Sequence, residues 1–198
     1  MSKSNQETEV KLKLDGAVAS KRRLARLGFS VTARRVLEIN TIFDTPDSLL
    51  RRSQKLLRLR EAGARCTLTY KGPQSAGRYK SREEIESVFT DAASTRAILE
   101  RLGFVPVFRY EKYRTEFAKP RQAGSVMLDE TPIGDYLELE GSPAWIDRTA
   151  RALGRSPADY ITASYGALYL ADCQAKGVEP RHMVFGRGRR RFVRRQLL

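Results

Sequence analysis

The chain of 198 residues is long enough for one domain with its own core, and its 41% hydrophobic and 30% charged residues are a globular composition. No apolar run approaches ~18 residues and no signal-peptide core stands near the start, so we expect a cytoplasmic protein without membrane contact. A net charge of +14 at pH 7 implies an anionic partner, either nucleic acid or a small molecule with several phosphates.

Cysteine and histidine usage gives little support for metal sites or catalysis built on these residues. Cys66 and Cys173 have no His or Cys neighbour at metal-ligand spacing, and the single histidine, His182, lies in a basic stretch. We therefore expect two buried, reduced thiols, and neither phosphohistidine chemistry nor a His-based triad.

Charged and apolar residues alternate along the first strand-like run, residues 7–14. With the two-residue period of a β-strand, Glu7, Glu9 and Lys11 share one face and apolar side chains occupy the other. Two carboxylates on one face can share a hard divalent cation, and the lysine beside them can hold the anion that the cation neutralises. A half-exposed strand with a solvated charged face shows the same pattern, so this run alone does not decide between the two.

Helix and strand signals continue through the rest of the chain. The first helix is predicted over 17–27, with Val18, Leu24 and Leu27 facing inward and Gly28 as its C-terminal cap. Further helices are predicted over 48–53, 91–102, 144–153 and 157–176. Further strands are predicted over 33–43, 55–61, 65–71, 78–89, 107–118, 125–129 and 135–140. Eight strands are a number that closes a barrel with a narrow lumen.

The charged alternation of the first strand recurs in the later ones. The residues that share a face within their strands are Arg58 and Arg60; Thr67, Thr69 and Lys71; Arg82, Glu84 and Glu86; Lys112, Arg114 and Glu116; Asp129; Glu138 and Glu140. If helices cover the apolar face of the sheet, these charged faces either meet bulk water or close on themselves as a barrel with a charged lumen.

Several short motifs follow one another in a fixed order. The first is Glu7-x-Glu9-x-Lys11. The others are Phe43-Asp44-Thr45-Pro46, Leu57-Arg58-Leu59-Arg60, Leu68-Thr69-Tyr70-Lys71-Gly72-Pro73, Lys112-Tyr113-Arg114, Leu128-Asp129 and Tyr136-Leu137-Glu138-Leu139-Glu140-Gly141. The ordered set, which spans roughly residues 5–175, resembles the CYTH family, also called triphosphate tunnel metalloenzymes, whose signature is ExExK. This family includes class IV adenylate cyclases, thiamine triphosphatases and inorganic triphosphatases.

The resemblance implies an α+β fold, in which an eight-stranded antiparallel closed β-barrel has a charged lumen and helices packed outside. We expect this domain to cover residues 1–176, and residues 177–198 to form a basic, flexible tail.

The resemblance also implies roles for the charged residues. The expected ligands of Mg²⁺ or Mn²⁺ are Glu7, Glu9, Asp129, Glu138 and Glu140. The expected substrate-binding residues are Lys11, Arg58, Arg60, Lys71, Arg82, Lys112 and Arg114. The expected catalytic residues are Glu7, Glu9, Lys11 and Asp129. Triphosphate carries about four negative charges, so its site needs several cations and a metal. For Arg82, Glu84 and Glu86, an exposed strand face is as compatible with the sequence as pairing inside the lumen.

The expected substrate is a small molecule that bears a triphosphate, and its reaction depends on which phosphorus is attacked. Water attacking the terminal phosphorus gives a triphosphatase, whereas a ribose hydroxyl attacking the α-phosphorus of ATP gives a cyclase. Thiamine triphosphatases resemble the chain up to Arg58-x-Arg60 but carry an aromatic residue just before it, where this chain has Leu56 and Leu57. No adenine pocket is apparent. We therefore favour hydrolysis of inorganic or nucleoside triphosphate, with class IV adenylate cyclase as the alternative.

A polyphosphate-binding or nucleic-acid-binding module is an alternative from another class. It rests on the net charge and on six arginines among the last dozen residues: Arg187, Arg189, Arg190, Arg191, Arg194 and Arg195. Such a module predicts interleaved aromatics on an exposed basic face and no ordered set of four glutamates, whereas the sequence has Glu7, Glu9, Glu138 and Glu140 in such a set. We expect the tail to add only nonspecific attraction for nucleic acid. The sequence is also compatible with a homodimer.

Overall fold

The computed structural model of the protein describes residues 6–75 and 77–186. The strands are β1 (Gln6–Leu14), β2 (Ser30–Asp44), β3 (Leu56–Ala62), β4 (Arg65–Lys71), β5 (Lys80–Phe89), β6 (Val105–Ala118), β7 (Gly124–Thr131) and β8 (Gly134–Gly141). The helices are α1 (Ala17–Arg26), α2 (Leu49–Arg52), α3 (Ala92–Arg101), α4 (Pro143–Ala152) and α5 (Tyr165–Lys176), with a 3-10 turn at Pro157–Asp159. Within the described residues, no helix has both the length and the apolar content needed to cross a membrane.

The eight strands form one closed antiparallel barrel in the order β1-β5-β4-β3-β2-β6-β7-β8. This confirms the fold class predicted from the sequence. The longest ladder joins β2 to β6, whereas β1 and β5 pair only from Gln6↔Glu83 to Glu9↔Lys80. Beyond Glu9, the backbone groups of β1 have no partner in β5. The segment before α5 pairs with β1 there instead.

The apolar faces of the strands point out of the barrel and pack under helices. Over β1, β7 and β8, helix α4 contributes Trp145 and Ile146 to a buried cluster with Val10 and Leu139. A Cβ at Gly124 would lie 2.4 Å from the Trp145 ring, so this close approach requires glycine. Because side chains alternate along a strand and the apolar ones face the helices outside, the charged ones face the lumen.

Helix α1 meets the barrel through a narrower stripe than the sequence predicted. Leu24 is fully buried and Leu27 packs against the same core, but Val18 is 65% exposed, so its predicted inward position is wrong. Most of the helix surface is charged or small, and a helix with so few apolar residues buries only one narrow side. Gly28 follows the helix with a φ of 81°, as expected for its cap.

The single helix predicted over 157–176 is wrong, because its first part is a 3-10 turn followed by extended chain. Ile161 lies beside β1 and exchanges two backbone hydrogen bonds of 2.9 Å with Lys11. Since β5 pairs with β1 only as far as Glu9, the amide and carbonyl of Lys11 would otherwise lack a partner. The helical pattern resumes at Ser164, whose hydroxyl accepts the Ala167 N–H and starts α5.

Residues 181–186 contact α5 and β6, which contradicts the predicted flexible tail for this part, whereas residues 177–180 are exposed. Met183 bonds along β6, donating to the Arg109 carbonyl at 3.0 Å and accepting from the Glu111 N–H at 2.8 Å. This edge of β6 is available because β7 pairs with β6 only from Tyr113 onward. Met183 and Phe185 are 1% and 8% exposed. The arginine cluster at 187–198 lies outside the described residues, and the boundary at residue 176 stays a prediction.

Candidate functional site

The barrel encloses a cavity of about 1500 Å³ whose walls are rich in cations. All seven residues predicted to bind substrate line it: Lys11, Arg58, Arg60, Lys71, Arg82, Lys112 and Arg114. An eighth lumenal cation, Lys80, was missed by the sequence analysis. Its signal was present, because Lys80 stands two positions before Arg82 and so shares the same face of β5.

Four of the five predicted metal ligands also line the cavity: Glu7, Glu9, Glu138 and Glu140. They come from β1 and β8, which are neighbours, and the register sets Glu9 opposite Glu140 and Lys11 opposite Glu138. Glu84 and Glu86 line the cavity as well, so the face of β5 that the sequence left undecided is lumenal.

Asp129, the fifth predicted ligand, is fully buried beside the cavity and is not part of its lining. Its carboxylate accepts from Arg114 at 2.7 and 2.6 Å, from Lys112 at 2.8 Å and from the Tyr165 hydroxyl at 2.7 Å. Although burial disfavours a charged guanidinium, Asp129 and Glu138 hold the pKa of Arg114 well above its usual range. These contacts make Asp129 an anchor for two lumenal cations.

Tyr165 is a second component of this anchor that sequence reasoning missed. Its ring lies 5.1 Å from both the Lys11 and the Lys112 ammonium nitrogens. Burial and the neighbouring Asp129 raise the pKa of the Tyr165 hydroxyl well above its usual range, so it remains a donor. The sequence predicted a core aromatic within a continuous helix. Only the break before α5 directs this ring into the barrel.

Ion pairs connect the carboxylates of β1 with lysines. The Lys11 ammonium lies 3.2 Å from Glu9 and 3.0 Å from Glu138, and Lys80 also bonds Glu9. Although burial would raise the pKa of the Glu9 carboxyl, Lys11 and Lys80 keep it below its ordinary value. Glu9 is therefore ionised and held between two ammonium groups.

A second ion-pair group lies between β1, β4 and β5. Lys71 donates to Glu84 at 2.8 Å and also bonds Glu7. Burial and the hydrogen bond with Glu7 raise the pKa of Glu84 to about 8. Burial opposes ionisation of Glu7 too, but Glu84 and Lys71 together lower its pKa to about 2. Near neutral pH this pair of carboxyls therefore holds one proton, mainly on Glu84.

Arg58 and Glu38 extend the network to β2, β3 and β6. Arg58 lies 3.4 Å from Glu86 and its guanidinium donates to the Tyr110 hydroxyl at 3.4 Å. Glu38, which the sequence analysis missed, lies 3.5 Å from both Lys112 and Arg60. Burial opposes its ionisation, but Lys112 and the nearby arginines lower the pKa of Glu38 to about 2.

On the lumenal faces of the described strands, three charged residues that line the cavity have no ion-pair partner: Glu116, Glu140 and Arg82. Glu140 faces Glu9 across the β1–β8 ladder, and burial together with Glu7, Glu9 and Glu138 raises its pKa to about 7. Arg82 lies opposite Glu7 in the β1–β5 register without forming an ion pair with it, and its buried Nε has no hydrogen-bond partner. On these strand faces the network therefore leaves two carboxylates and one guanidinium available to other ions.

The carboxylates of β1 and β8 are the type of ligand that a hard divalent cation prefers. Oxygen donors suit Mg²⁺ and Mn²⁺, and the unpaired Glu140 has neighbouring carboxylates whose repulsion a cation would relieve. Within the described residues, however, no three acidic, His or Cys side chains gather closely enough to hold an ion. Lysines hold Glu7 and Glu9 instead, so a cation competes with these ion pairs for the same oxygens.

Known proteins share this fold and, in one case, a substantial part of the sequence. A protein of Methanocaldococcus jannaschii provisionally named an adenylate cyclase is 32% identical over 147 residues, which cover 74% of this chain and 83% of that protein. A solved structure from Vibrio parahaemolyticus, with the same provisional name, has a TM-score of 0.73 at 20% identity and covers 82% of this chain and 97% of its own.

A second solved structure, from Hippeastrum, has a TM-score of 0.62 at 18% identity and covers 88% of this chain and 97% of its own. It is provisionally named an adenylyl cyclase and described as having a dominant triphosphatase activity. The CYTH domain model matches residues 5–165 of the present chain. The motifs, the closed barrel and these matches agree: the chain belongs to the CYTH family.

Proposed function

We propose that the protein is a metal-dependent triphosphatase that hydrolyses inorganic triphosphate or a nucleoside triphosphate inside the barrel. The observation that carries the proposal is the ring of eight lumenal cations around a cavity that also holds acidic residues on β1 and β8. The lumenal carboxylates pair with these cations and so offset the repulsion between them. The oxygens of a bound polyphosphate would replace those carboxylates as partners of the cations.

Each part of the lumen has a role in this proposal. Arg82 has no carboxylate to release, so it binds phosphate at no loss of an existing ion pair. Arg58 offers a planar guanidinium that can bind two phosphate oxygens, and Tyr165 with Asp129 keeps Lys112 and Arg114 oriented toward the cavity. A phosphate chain bound by these residues would be attacked in line by water at the terminal phosphorus, which would release phosphate and leave a diphosphate.

Glu7, Glu9, Glu138 and Glu140 would hold Mg²⁺ or Mn²⁺. When bound, such an ion neutralises phosphate oxygens and stabilises the charge that develops as the anhydride bond breaks. Without it, the four carboxylates repel a phosphate chain, so we expect a strict metal requirement. The Hippeastrum neighbour described as having a dominant triphosphatase activity supports hydrolysis as the reaction.

Class IV adenylate cyclase is the second candidate, and the provisional name of the M. jannaschii relative favours it. The same cations would hold the triphosphate, but the ribose hydroxyl of ATP would attack the α-phosphorus and release diphosphate. The lumenal residues serve both reactions, because they bind the phosphates in either case. The reaction then depends on whether water or the ribose hydroxyl is the nucleophile.

A metal-by-substrate panel tests the proposal. Inorganic triphosphate, ATP and thiamine triphosphate are each incubated with Mg²⁺, Mn²⁺ or EDTA, and phosphate, diphosphate and cyclic AMP are measured separately. We expect metal-dependent phosphate release that Arg82→Gln reduces and that Arg101→Gln, on the exposed surface of α3, leaves unchanged. Diphosphate formed together with cyclic AMP would instead establish the cyclase, and no turnover of any triphosphate would refute both.

A further inference from the structure

The lumen does not account for the net charge of +14. Carboxylates on the lumenal strand faces, together with Glu38 and Asp129 beside the cavity, are at least as numerous as the eight lumenal cations. The excess positive charge of the described residues therefore lies on the outer surface of the protein. A surface with a strong excess of one charge attracts partners of the opposite charge.

Helices α1 and α4 lie side by side on the outside of the barrel, and both pack on the buried cluster over β1, β7 and β8. At one end of the pair, the Arg23 guanidinium donates to the Ala152 carbonyl at 3.5 Å. At the other end, the ring of Phe29, which follows α1, meets the Trp145 ring edge-to-face with the centroids 6.4 Å apart. The two helices therefore run antiparallel and present one continuous outer surface.

The exposed side of this helix pair is basic. Helix α1 has no acidic residue, and its exposed Arg22 and Arg26 lie four residues apart, on the side opposite the buried Leu24. Helix α4 exposes Arg148 and Arg151. The turn after β6 adds two more cations, one of which lies 4.6 Å above the Phe29 ring. We call this surface the α1–α4 face, and its cations are Arg22, Arg26, Lys119, Arg121, Arg148 and Arg151.

The cations of the α1–α4 face form no ion pair with another described residue, whereas exposed cations elsewhere do. Lys176, for example, lies 2.7 Å from the Asp172 carboxylate. The one acidic residue of α4, Asp147, accepts from the hydroxyls of Tyr79 and Tyr160 on the side of the helix away from α1, at 3.0 and 2.8 Å. The guanidinium groups of the face are therefore available to anions from outside the protein.

The type of side chain on the face restricts the anion. Guanidinium groups bind pairs of phosphate oxygens. Phe29 and Trp145, the aromatic residues beside the face, are only 6% and 3% exposed, so they cannot stack on the bases of a single strand. A helix of ten residues is about 15 Å long, and a duplex carries one charge per roughly 1.7 Å of its axis, so several phosphates come within reach.

We propose that the α1–α4 face binds the phosphate backbone of a nucleic-acid duplex without reading its bases. None of the six cations of the face lines the cavity, so a duplex bound there leaves the lumen open to a triphosphate. This inference does not depend on the reaction that the lumen carries out.

Fluorescence anisotropy tests the proposal with the full chain and a labelled DNA duplex of about 20 base pairs, whose 5′-hydroxyl ends carry no triphosphate. Affinity is measured over a series of salt concentrations, since each phosphate contact contributes about 0.9 to the slope of log affinity against log salt. The slope should become shallower by roughly 3 to 4 in a variant with four substitutions: Arg22→Gln, Arg26→Gln, Arg148→Gln and Arg151→Gln. The double variant Arg22→Gln/Arg26→Gln should lose roughly half as much, and keeps the test valid if the fourfold variant does not fold.

A matched control removes the same charge from exposed residues of α2, β4, α3 and α5, with Arg52→Gln, Arg65→Gln, Arg101→Gln and Lys176→Gln. Its slope should change by less than about 1. Since both fourfold variants have the same net charge and keep the arginines at 187–198, their difference isolates the α1–α4 face. Hydrolysis of inorganic triphosphate should be the same in both, so the proposed function is tested separately.

Four results would overturn the duplex-binding face. They are an unchanged slope in the fourfold α1–α4 variant, an equal loss in that variant and the control, tighter binding of a single strand of the same length, and no binding of the duplex by the wild-type protein. Binding of phosphatidylserine vesicles with no binding of the duplex would assign the charge of the face to a membrane surface instead.

Discussion

Replacing two lumenal cations separately distinguishes their structural from their binding roles. Lys71 is 4% exposed and pairs with Glu7 and Glu84, whereas Arg82 has no ion pair among the described residues. From the sequence alone we expect loss of a lumenal cation such as Lys71 to leave the ligand-free protein no less stable. Because Lys71 forms two ion pairs, we now expect its loss to destabilise the ligand-free protein. For Arg82, which forms none among the described residues, we still expect no loss of stability.

The magnitudes follow from what each substitution leaves behind. Lys71→Gln removes the ammonium from two partly buried carboxyls, and breaking a fully buried ion pair would cost about 3–5 kcal/mol. Because the pKa of Glu84 is about 8, that carboxyl is already largely protonated near pH 7, and the loss falls mainly on Glu7. We therefore expect a loss of roughly 1–3 kcal/mol, or a fall in Tm of about 2–10 °C. Arg82→Gln should change stability by less than about 0.5 kcal/mol.

Both variants should bind a triphosphate less tightly, because each loses a charge-assisted contact worth about 1.5–3 kcal/mol, or roughly 10- to 150-fold in Kd. Thermal unfolding in EDTA measures stability, and titration calorimetry with the non-hydrolysable β,γ-methylene analogue of ATP and Mg²⁺ measures affinity. Arg101→Gln serves as the surface control. Equal destabilisation by Lys71→Gln and Arg82→Gln would refute the ion-pair reasoning, and an unchanged affinity in both would refute their assignment to phosphate binding.

Three other predictions concern the anchor and the carboxylates. Tyr165→Phe keeps the ring over Lys11 and Lys112 but removes a 2.7 Å hydrogen bond to Asp129, and should cost roughly 1–2 kcal/mol in thermal unfolding; an unchanged Tm would contradict this contact. The pKa values of Glu140 and Glu84, about 7 and 8, lie above their ordinary 4.5, so the folded protein holds protons that the unfolded chain has released, and stability in EDTA should fall as the pH rises from about 5 to 8. Glu140→Gln should reduce that fall, and a wild-type stability that climbs over this range would show the sign to be wrong. Mn²⁺ should raise the wild-type Tm at pH 8 and do so less in Glu140→Gln, since the ion binds the carboxylate that no lysine holds; equal shifts in the two proteins would exclude Glu140 as a ligand.

The sequence was sufficient to predict the barrel and most of its charged wall. Period-two alternation recurs in strand after strand, so one register choice determines which side chains share a face, as in β1 and in Arg58-x-Arg60. Lys80 and Glu38 follow the same rule but lie outside the quoted motifs. Alternation alone could not tell whether the charged faces met water or each other, because that depends on closure of the sheet.

Only the tertiary structure decided which charges are paired and which are free. Asp129 and Glu140 look alike in the sequence as carboxylates in strands, yet one accepts from three side chains and the other has no ion pair among the described residues. The break before α5 and the docking of residues 181–186 fill gaps left by strands of unequal length, which no local pattern records. The sequence by itself determined the faces of the strands, since side-chain direction in a strand is a local property. Ion pairs and pKa values were decided by residues distant in sequence, because they depend on distances that only the closed barrel sets.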